Sequence, residues 1–216
     1  MLKLNDISVT IKGFNILRGV NMHIPPGGLV LLAGRNGAGK TTTLKSIMGI
    51  MSLTGGSIHF DGEDLLEVEA HQRAPRGIGY MPEERRLIGT LTVYDNIMLP
   101  AWASKLEKAD ERLDYIYSLM PELLPFVDRR ATMLSGGQQK MVALARALMS
   151  GTKLLLLDEP FEGLSPGLGE KLGETIQQLQ QDGLTVLVAQ SDEKRISFAS
   201  KTYMIERGEN VDDSGS

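Results

Sequence analysis

The chain has 216 residues, a net charge of −4 and no cysteine. That length suits one good-sized domain, or one domain with an inserted lobe. The charge offers no footprint for nucleic acid, and the missing thiols exclude disulfides and thiolate metal sites and fit a cytosolic location. Residues 1–6 lack the apolar core of a signal peptide, and the longest apolar runs are strand length, far short of a membrane span. A membrane role would have to come through a partner.

Residues 2–24 alternate in polarity around turn residues at Lys12-Gly13 and stop at Pro25-Pro26-Gly27-Gly28. They predict a short antiparallel sheet. Residues 29–33 form an apolar run that reads as a buried strand, and Leu44, Ile47 and Met48 fall at helical spacing. Between them stands Gly34-Arg35-Asn36-Gly37-Ala38-Gly39-Lys40-Thr41, followed by Thr42. The offsets of Gly34, Gly39, Lys40 and Thr41 fit the phosphate-binding loop G-x-x-x-x-G-K-[ST] in its required place between strand and helix. Glycines let backbone N–H groups curl around an anion, and the helix start adds partial positive charge. Lys40 is expected to reach the outer phosphates and the Thr41 hydroxyl to ligate Mg²⁺.

Further along, 57–62 carries a hairpin signal at Asp61-Gly62, and 79–82 reads as a strand end. Residues 84–150 change character: Leu106, Leu113, Ile116, Tyr117 and Met120 lie at helical spacing among charges, with Pro121 and Pro125 interrupting. They predict a helical lobe inserted into a core made of 1–83 and 151–216. Residues 153–157 and 185–189 read as buried strands around a helix over 168–181, which implies a parallel sheet with a right-handed crossover. Residues 210–216 are polar and read as a mobile tail. His23, His59 and His71 are scattered and read as surface residues.

Asp158 and Glu159 follow a strand directly, and ligands of an open α/β sheet bind at the carboxyl ends of its strands. Asp158 suits an Mg²⁺ shell, and Glu159 suits polarising or deprotonating an attacking water. Leu134-Ser135-Gly136-Gly137-Gln138 opens another helix. Ser135 and Gln138 read as a capping box. Two glycines in a first turn cost roughly 1–2 kcal/mol relative to alanines, which suggests that a phosphate approaches this backbone closely. Since the chain already has one phosphate loop, this second helix start is expected to serve another copy's nucleotide.

In this order, the phosphate loop, the Leu134–Gln138 stretch and Leu-Leu-Leu-Leu-Asp-Glu-Pro (154–160) resemble an ATP-binding subunit of an ABC transporter across roughly residues 2–208. The resemblance implies an α/β fold: a P-loop NTPase core with a mainly parallel sheet, an N-terminal antiparallel β subdomain and an inserted helical subdomain. It implies ATP and Mg²⁺ as cofactors. Two subunits pair head-to-tail, as homo- or heterodimer, and Ser135, Gly137 and Gln138 contact the γ-phosphate in trans. Transmembrane permease subunits, an external solute-binding protein acting indirectly, and a place on the cytoplasmic face of the membrane are implied as well. Gly-Tyr-Met-Pro-Glu-Glu-Arg-Arg-Leu (79–87), Leu-Thr-Val (91–93) and 158–166 resemble the branched-chain amino acid importer ATPases, with urea-importer ATPases near.

Three positions depart from the wider pattern. Glu83 stands where a Gln usually links Mg²⁺ and water to the membrane subunit, and its carboxylate would accept from water or bind Mg²⁺. Gln190 stands where a His contacts the γ-phosphate. Lys12 replaces the aromatic that stacks on adenine, with Phe14 and Ile11 as substitutes. Trp102 and Met98 are expected to pack the helical lobe, in a region that faces the membrane subunit in the family. The expected activity is ATP hydrolysis that powers import. A soluble ABC-type ATPase outside transport, which usually carries long coiled coils or doubled units, and a non-hydrolysing regulator are the alternatives.

Overall fold

A computed structural model describes residues 1–211. Strands β1 (Leu2–Ile11) and β2 (Phe14–Ile24) form the expected hairpin, with Lys12 in the left-handed region at its turn (φ 49°). Then come β3 (Leu29–Ala33), α1 (Lys40–Ile47), β4 (Gly55–Phe60), β5 (Glu63–Asp64), the one-turn α2 (Ala70–Arg73) and β6 (Ile78–Met81). Helices α3 (Val93–Ser104), α4 (Ala109–Leu119) and α5 (Gly136–Ser150) separate β6 from β7 (Leu154–Asp158). Helix α6 (Pro166–Gln181), β8 (Thr185–Gln190), β9 (Lys201–Glu206) and β10 (Glu209–Val211) complete the fold.

The strands form two sheets, an antiparallel one ordered β2-β1-β4-β5 and a larger one ordered β10-β9-β3-β8-β7-β6. Strands β9, β3, β8, β7 and β6 are parallel, and only β10 runs against its neighbour. Successive side chains of each central strand enter different cores. Leu29, Leu31, Leu155, Leu157, Val186 and Val188 pack with α3–α6, whereas Val30, Leu32, Leu154, Leu156 and Leu187 pack with α1 and the antiparallel sheet. Both faces are covered, so these strands read as unbroken apolar runs instead of alternating ones.

Several elements were less visible in sequence. Strands β9 and β10 carry the pattern Lys-Thr-Tyr-Met-Ile-Glu and Glu-Asn-Val, half polar because they lie at the sheet margin. Helix α3 runs through Pro100 without ending there. Of the stretch expected to be a mobile tail, Asn210 and Val211 belong to β10, and 212–216 lie outside the described residues.

The carboxyl ends of β3, β7 and β8 lie side by side, because β8 pairs in parallel with both neighbours. The residues that follow these strands, including Gly34, Glu159 and Ser191, therefore share one edge of the sheet. Arg73, itself buried, fixes α1 from below: its guanidinium donates to the carbonyls of Ser46 and Ile47 at 2.9 and 2.7 Å, at the helix end where carbonyls lack partners.

Candidate active site

Local sterics explain the loop's glycines. A Cβ on Gly34 would stand 2.3 Å from the Ile205 carbonyl, and one on Gly39, at φ +117°, would stand 2.7 Å from Leu17. The loop thus lies directly on β9 and β2, where no side chain fits. Lys40 is buried and turns back over the loop, donating to the Gly34 carbonyl at 2.7 Å and the Arg35 carbonyl at 3.3 Å.

The expected convergence of loop, Asp158 and Glu159 is present. Thr41 Oγ1 donates to Asp158 Oδ1 at 3.0 Å, and Lys40 Nζ pairs with Glu159 Oε1 at 3.1 Å. Both partners of that pair are nearly sealed from solvent, at 5% and 9% side-chain exposure. A phosphate arriving at Lys40 must therefore compete with Glu159 for the same ammonium. Glu159 itself has φ 46°, a conformation disfavoured for a side chain of its size, and it sits where β7 breaks into a turn.

Gln190 ends β8 as expected, beside the end of β7, but its amide is turned to Glu159 instead of to the loop. Its Nε2 donates to Glu159 Oε2 at 2.7 Å, its Oε1 accepts from the Phe161 backbone at 3.4 Å, and the residue is buried. The loop-facing position falls to the next residue instead, Ser191, which directly follows β8. The Ser191 hydroxyl bonds Glu159 Oε1, accepts from Lys40 Nζ at 3.0 Å and lies 2.7 Å from the Asn36 side-chain amide. Its backbone N–H donates to Glu159 Oε2 at 3.2 Å. A hydroxyl has one proton, and two acceptors face it here, the Glu159 carboxylate and Asn36 Oδ1, so it donates to one of them at a time. Sequence reasoning missed Ser191; the strand-end rule that selected Asp158 and Glu159 points to it equally.

A cleft of about 460 Å³ opens over Lys40, Thr41 and Thr42, with Glu83 and Glu159 on its wall. Ile11 and Ile16 are among its lining residues, so an adenine ring bound in it would meet aliphatic side chains. Phe14 does not line it and stands 74% exposed at the hairpin turn.

Asp158 is fully buried, with protein donors from Thr41 and from the Tyr80 hydroxyl at 3.3 Å. Burial pushes its carboxyl up to about 6 against those hydrogen bonds, and nearby Glu83 and Glu159 add to the rise. Such a carboxylate beside a threonine hydroxyl and Glu83 fits a hard cation with oxygen ligands. Among the described residues no group of three or more His, Cys, Asp or Glu is arranged to hold a metal, so water and phosphate would complete such a shell.

A raised carboxyl favours folding while protonated. The stability it contributes is full below the ordinary value near 3.8 and is lost as pH rises through about 6. Asp158→Asn stays neutral. Above that window it is expected to be more stable than the native chain by on the order of 2 kcal/mol, visible as a higher melting temperature at pH 7.5 that vanishes near pH 4. The same variant is expected to lose metal-dependent hydrolysis.

Ser135 caps α5 and forms the expected capping box with Gln138, at 3.3 Å to the Gln138 N–H and 2.9 Å back to its own. None of Ser135, Gly136, Gly137 and Gln138 lines the cleft at Lys40. Gly137 has a packing reason besides any ligand: its Cβ would stand 2.5 Å from Leu168.

Residues 17–162 match the family described as ABC transporter. The chain belongs to that family. It is 35% identical over 209 residues to BraG of Pseudomonas aeruginosa, a high-affinity branched-chain amino acid transport ATP-binding protein, over 96% of this chain and 90% of BraG. It is 34% identical to the lipopolysaccharide export system ATP-binding protein LptB of Escherichia coli, over 96% and 87% of the two chains. The dimeric structure of the cassette MJ0796 matches with a TM-score of 0.88 at 28% identity, over 97% of this chain and 96% of that one. A post-hydrolysis dimer of the same cassette, bound to ADP and Pi, matches equally well. This ABC chain is therefore a nucleotide-binding ATPase subunit, with the P-loop NTPase fold and antiparallel subdomain that its sequence implied.

Proposed function

We propose that the chain powers import of branched-chain amino acids or a similar small polar solute, with Mg²⁺-ATP held at the Lys40 cleft. The observation that carries the ATP mechanism is the division of the phosphate-binding features. Lys40, Thr41, Asp158 and Glu159 meet in one cleft, while the Ser135–Gln138 helix start stands outside it. Head-to-tail pairing with a second copy or a related ATPase joins the two halves. In that pair the loop from Gly34 to Thr42 would cradle the phosphates, and Thr41, Asp158 and Glu83 would hold Mg²⁺, which would offset phosphate charge. Glu159 takes the proton of the attacking water, held in place by Gln190 and Ser191. Ser135, Gly136, Gly137 and Gln138 close over the partner's γ-phosphate.

Residues 84–150 act as the helical lobe toward the permease subunits at the cytoplasmic membrane face, with the solute-binding protein on the far side. No helix among the described residues is long and apolar enough to cross a membrane, so an anchor in the permease fits. Ile88, Tyr94 and Trp102 stand 45%, 38% and 50% exposed on this lobe, with the two rings in edge contact at 6.2 Å. Trp102→Ala is expected to cut transport about tenfold or more while leaving ATP affinity of the isolated chain unchanged. Transport in reconstituted vesicles and nucleotide titration check the pair of outcomes.

The cargo reading rests on the likeness to BraG and on the 79–87 and 158–166 stretches. The likeness to LptB favours a second reading, export of lipopolysaccharide. Uptake of labelled leucine by cells carrying the native chain or Glu159→Gln separates them. Loss of uptake in the variant supports import, and equal uptake overturns it.

A further inference from the structure

Lys140 lies in α5, five residues after the Ser135 cap, on the helix face that carries Leu144 and Leu148. It is buried, and among the described residues it forms no ion pair. Its ammonium donates instead to two backbone carbonyls, Glu159 and Glu162, each at 2.6 Å. Burial pulls its pKa down, so the charge is held at a cost that a methionine there would avoid. The two carbonyls bracket the turn in which Glu159 adopts its disfavoured left-handed backbone, and the Glu162 N–H closes that turn on the Glu159 carbonyl at 3.2 Å. Gly137 adds a second tie, since its missing Cβ lets Leu168 and Leu164, just beyond the turn, pack against the helix start.

We propose that Lys140 is a positioning residue for Glu159 and a rigid link within one chain between its two half-sites. The link joins the Ser135 end of α5 to the turn that aims the general base. Under the head-to-tail reading, on which this inference rests, those ends serve two different nucleotides. A γ-phosphate drawn onto Ser135 pulls α5, and through Lys140 it sets the Glu159 turn of the same chain for hydrolysis of the other ATP. Arg85 joins the same helix start, donating to the Gly136 carbonyl at 3.2 Å and to Gln139 Oε1 at 3.0 Å, so the Glu83 segment shares the link.

The test is amide hydrogen exchange at residues 159–165, read alongside steady-state kinetics. In the absence of nucleotide, Lys140→Met is expected to exchange about tenfold faster there than the native chain, with little change elsewhere. Lys140→Arg is expected to restore most of the protection. In kinetics, kcat of Lys140→Met falls roughly 10–100-fold, KM for ATP changes little, and Lys140→Arg recovers. In the Glu159→Gln background, ATP is expected to slow exchange at 159–165, whereas Lys140→Met/Glu159→Gln pairs with ATP yet shows no slowing. Native exchange and native kcat in Lys140→Met overturn the positioning role. Loss of pairing in the double variant, or a folding defect shared by Lys140→Met and Lys140→Arg, overturns it in favour of a purely structural lysine. Failure of Glu159→Gln itself to pair refutes the head-to-tail reading instead, and the nucleotide-free exchange still decides whether Lys140 holds the turn.

Discussion

Glu159→Gln is expected to bind ATP at least as tightly as the native chain and to hydrolyse it about 100-fold or more slowly. The carboxylate oxygens have separate partners: Oε2 accepts from Gln190 and the Ser191 N–H, and Oε1 meets Lys40 and the Ser191 hydroxyl. An amide keeps its oxygen on the first pair and turns its NH₂ toward Lys40. It then has no basic site for the water's proton, and it no longer competes for the ammonium. Loss of the base slows the chemistry, while release of Lys40 favours phosphate binding by a few-fold. Phosphate release and equilibrium nucleotide titration read the two effects separately. Native hydrolysis in this variant would remove Glu159 from the mechanism.

Lys40→Ala is expected to weaken ATP binding by about 100-fold or more, the loss of a charge-assisted contact to the outer phosphates. From sequence alone, this lysine reads as a surface-loop residue that the fold could do without. The structure gives a different expectation, because Lys40 and Glu159 are buried together at 3.1 Å. Removing one leaves the other's charge uncompensated, at about 3 kcal/mol if the site stays closed. Lys40→Ala should therefore melt several degrees lower than the native chain, and Lys40→Ala/Glu159→Gln should recover much of that loss. Fluorescent-nucleotide titration and thermal melts check both. Wild-type affinity in Lys40→Ala would show that the loop is not the phosphate site.

The phosphate loop, the buried strands and the acid pair were legible because each depends on local rules: glycine where backbone approaches backbone, apolar runs where both sheet faces are covered, acids at a strand's end. Strand β9 was missed because its pattern is set by its partner β3 and by its place near the sheet margin, neither of which is local. The same limit governs the candidate site. Gln190 could be placed at the end of β8 from sequence, but which of Gln190 and Ser191 faces Lys40 is decided by the register of β8 against β7 and β3. Lys140 carried a fainter signal, a charge on the apolar face of an amphipathic helix. Its carbonyl partners lie 19 and 22 residues away and come into reach only when the sheet is assembled.

The central claim, that ATP joins the Lys40 cleft of one copy to the Ser135 helix start of another, is tested most directly by site-specific cross-linking in this cysteine-free chain. Arg35 is exposed on the phosphate loop, and Met133 is 73% exposed just ahead of Ser135. Glu159→Gln chains carrying Arg35→Cys are mixed with Glu159→Gln chains carrying Met133→Cys and treated with a short bismaleimide. The account predicts a covalent dimer that forms with Mg²⁺-ATP and is absent with ADP or without nucleotide. An ATP-bound chain that yields no such product, or yields it equally without ATP, would contradict the shared site.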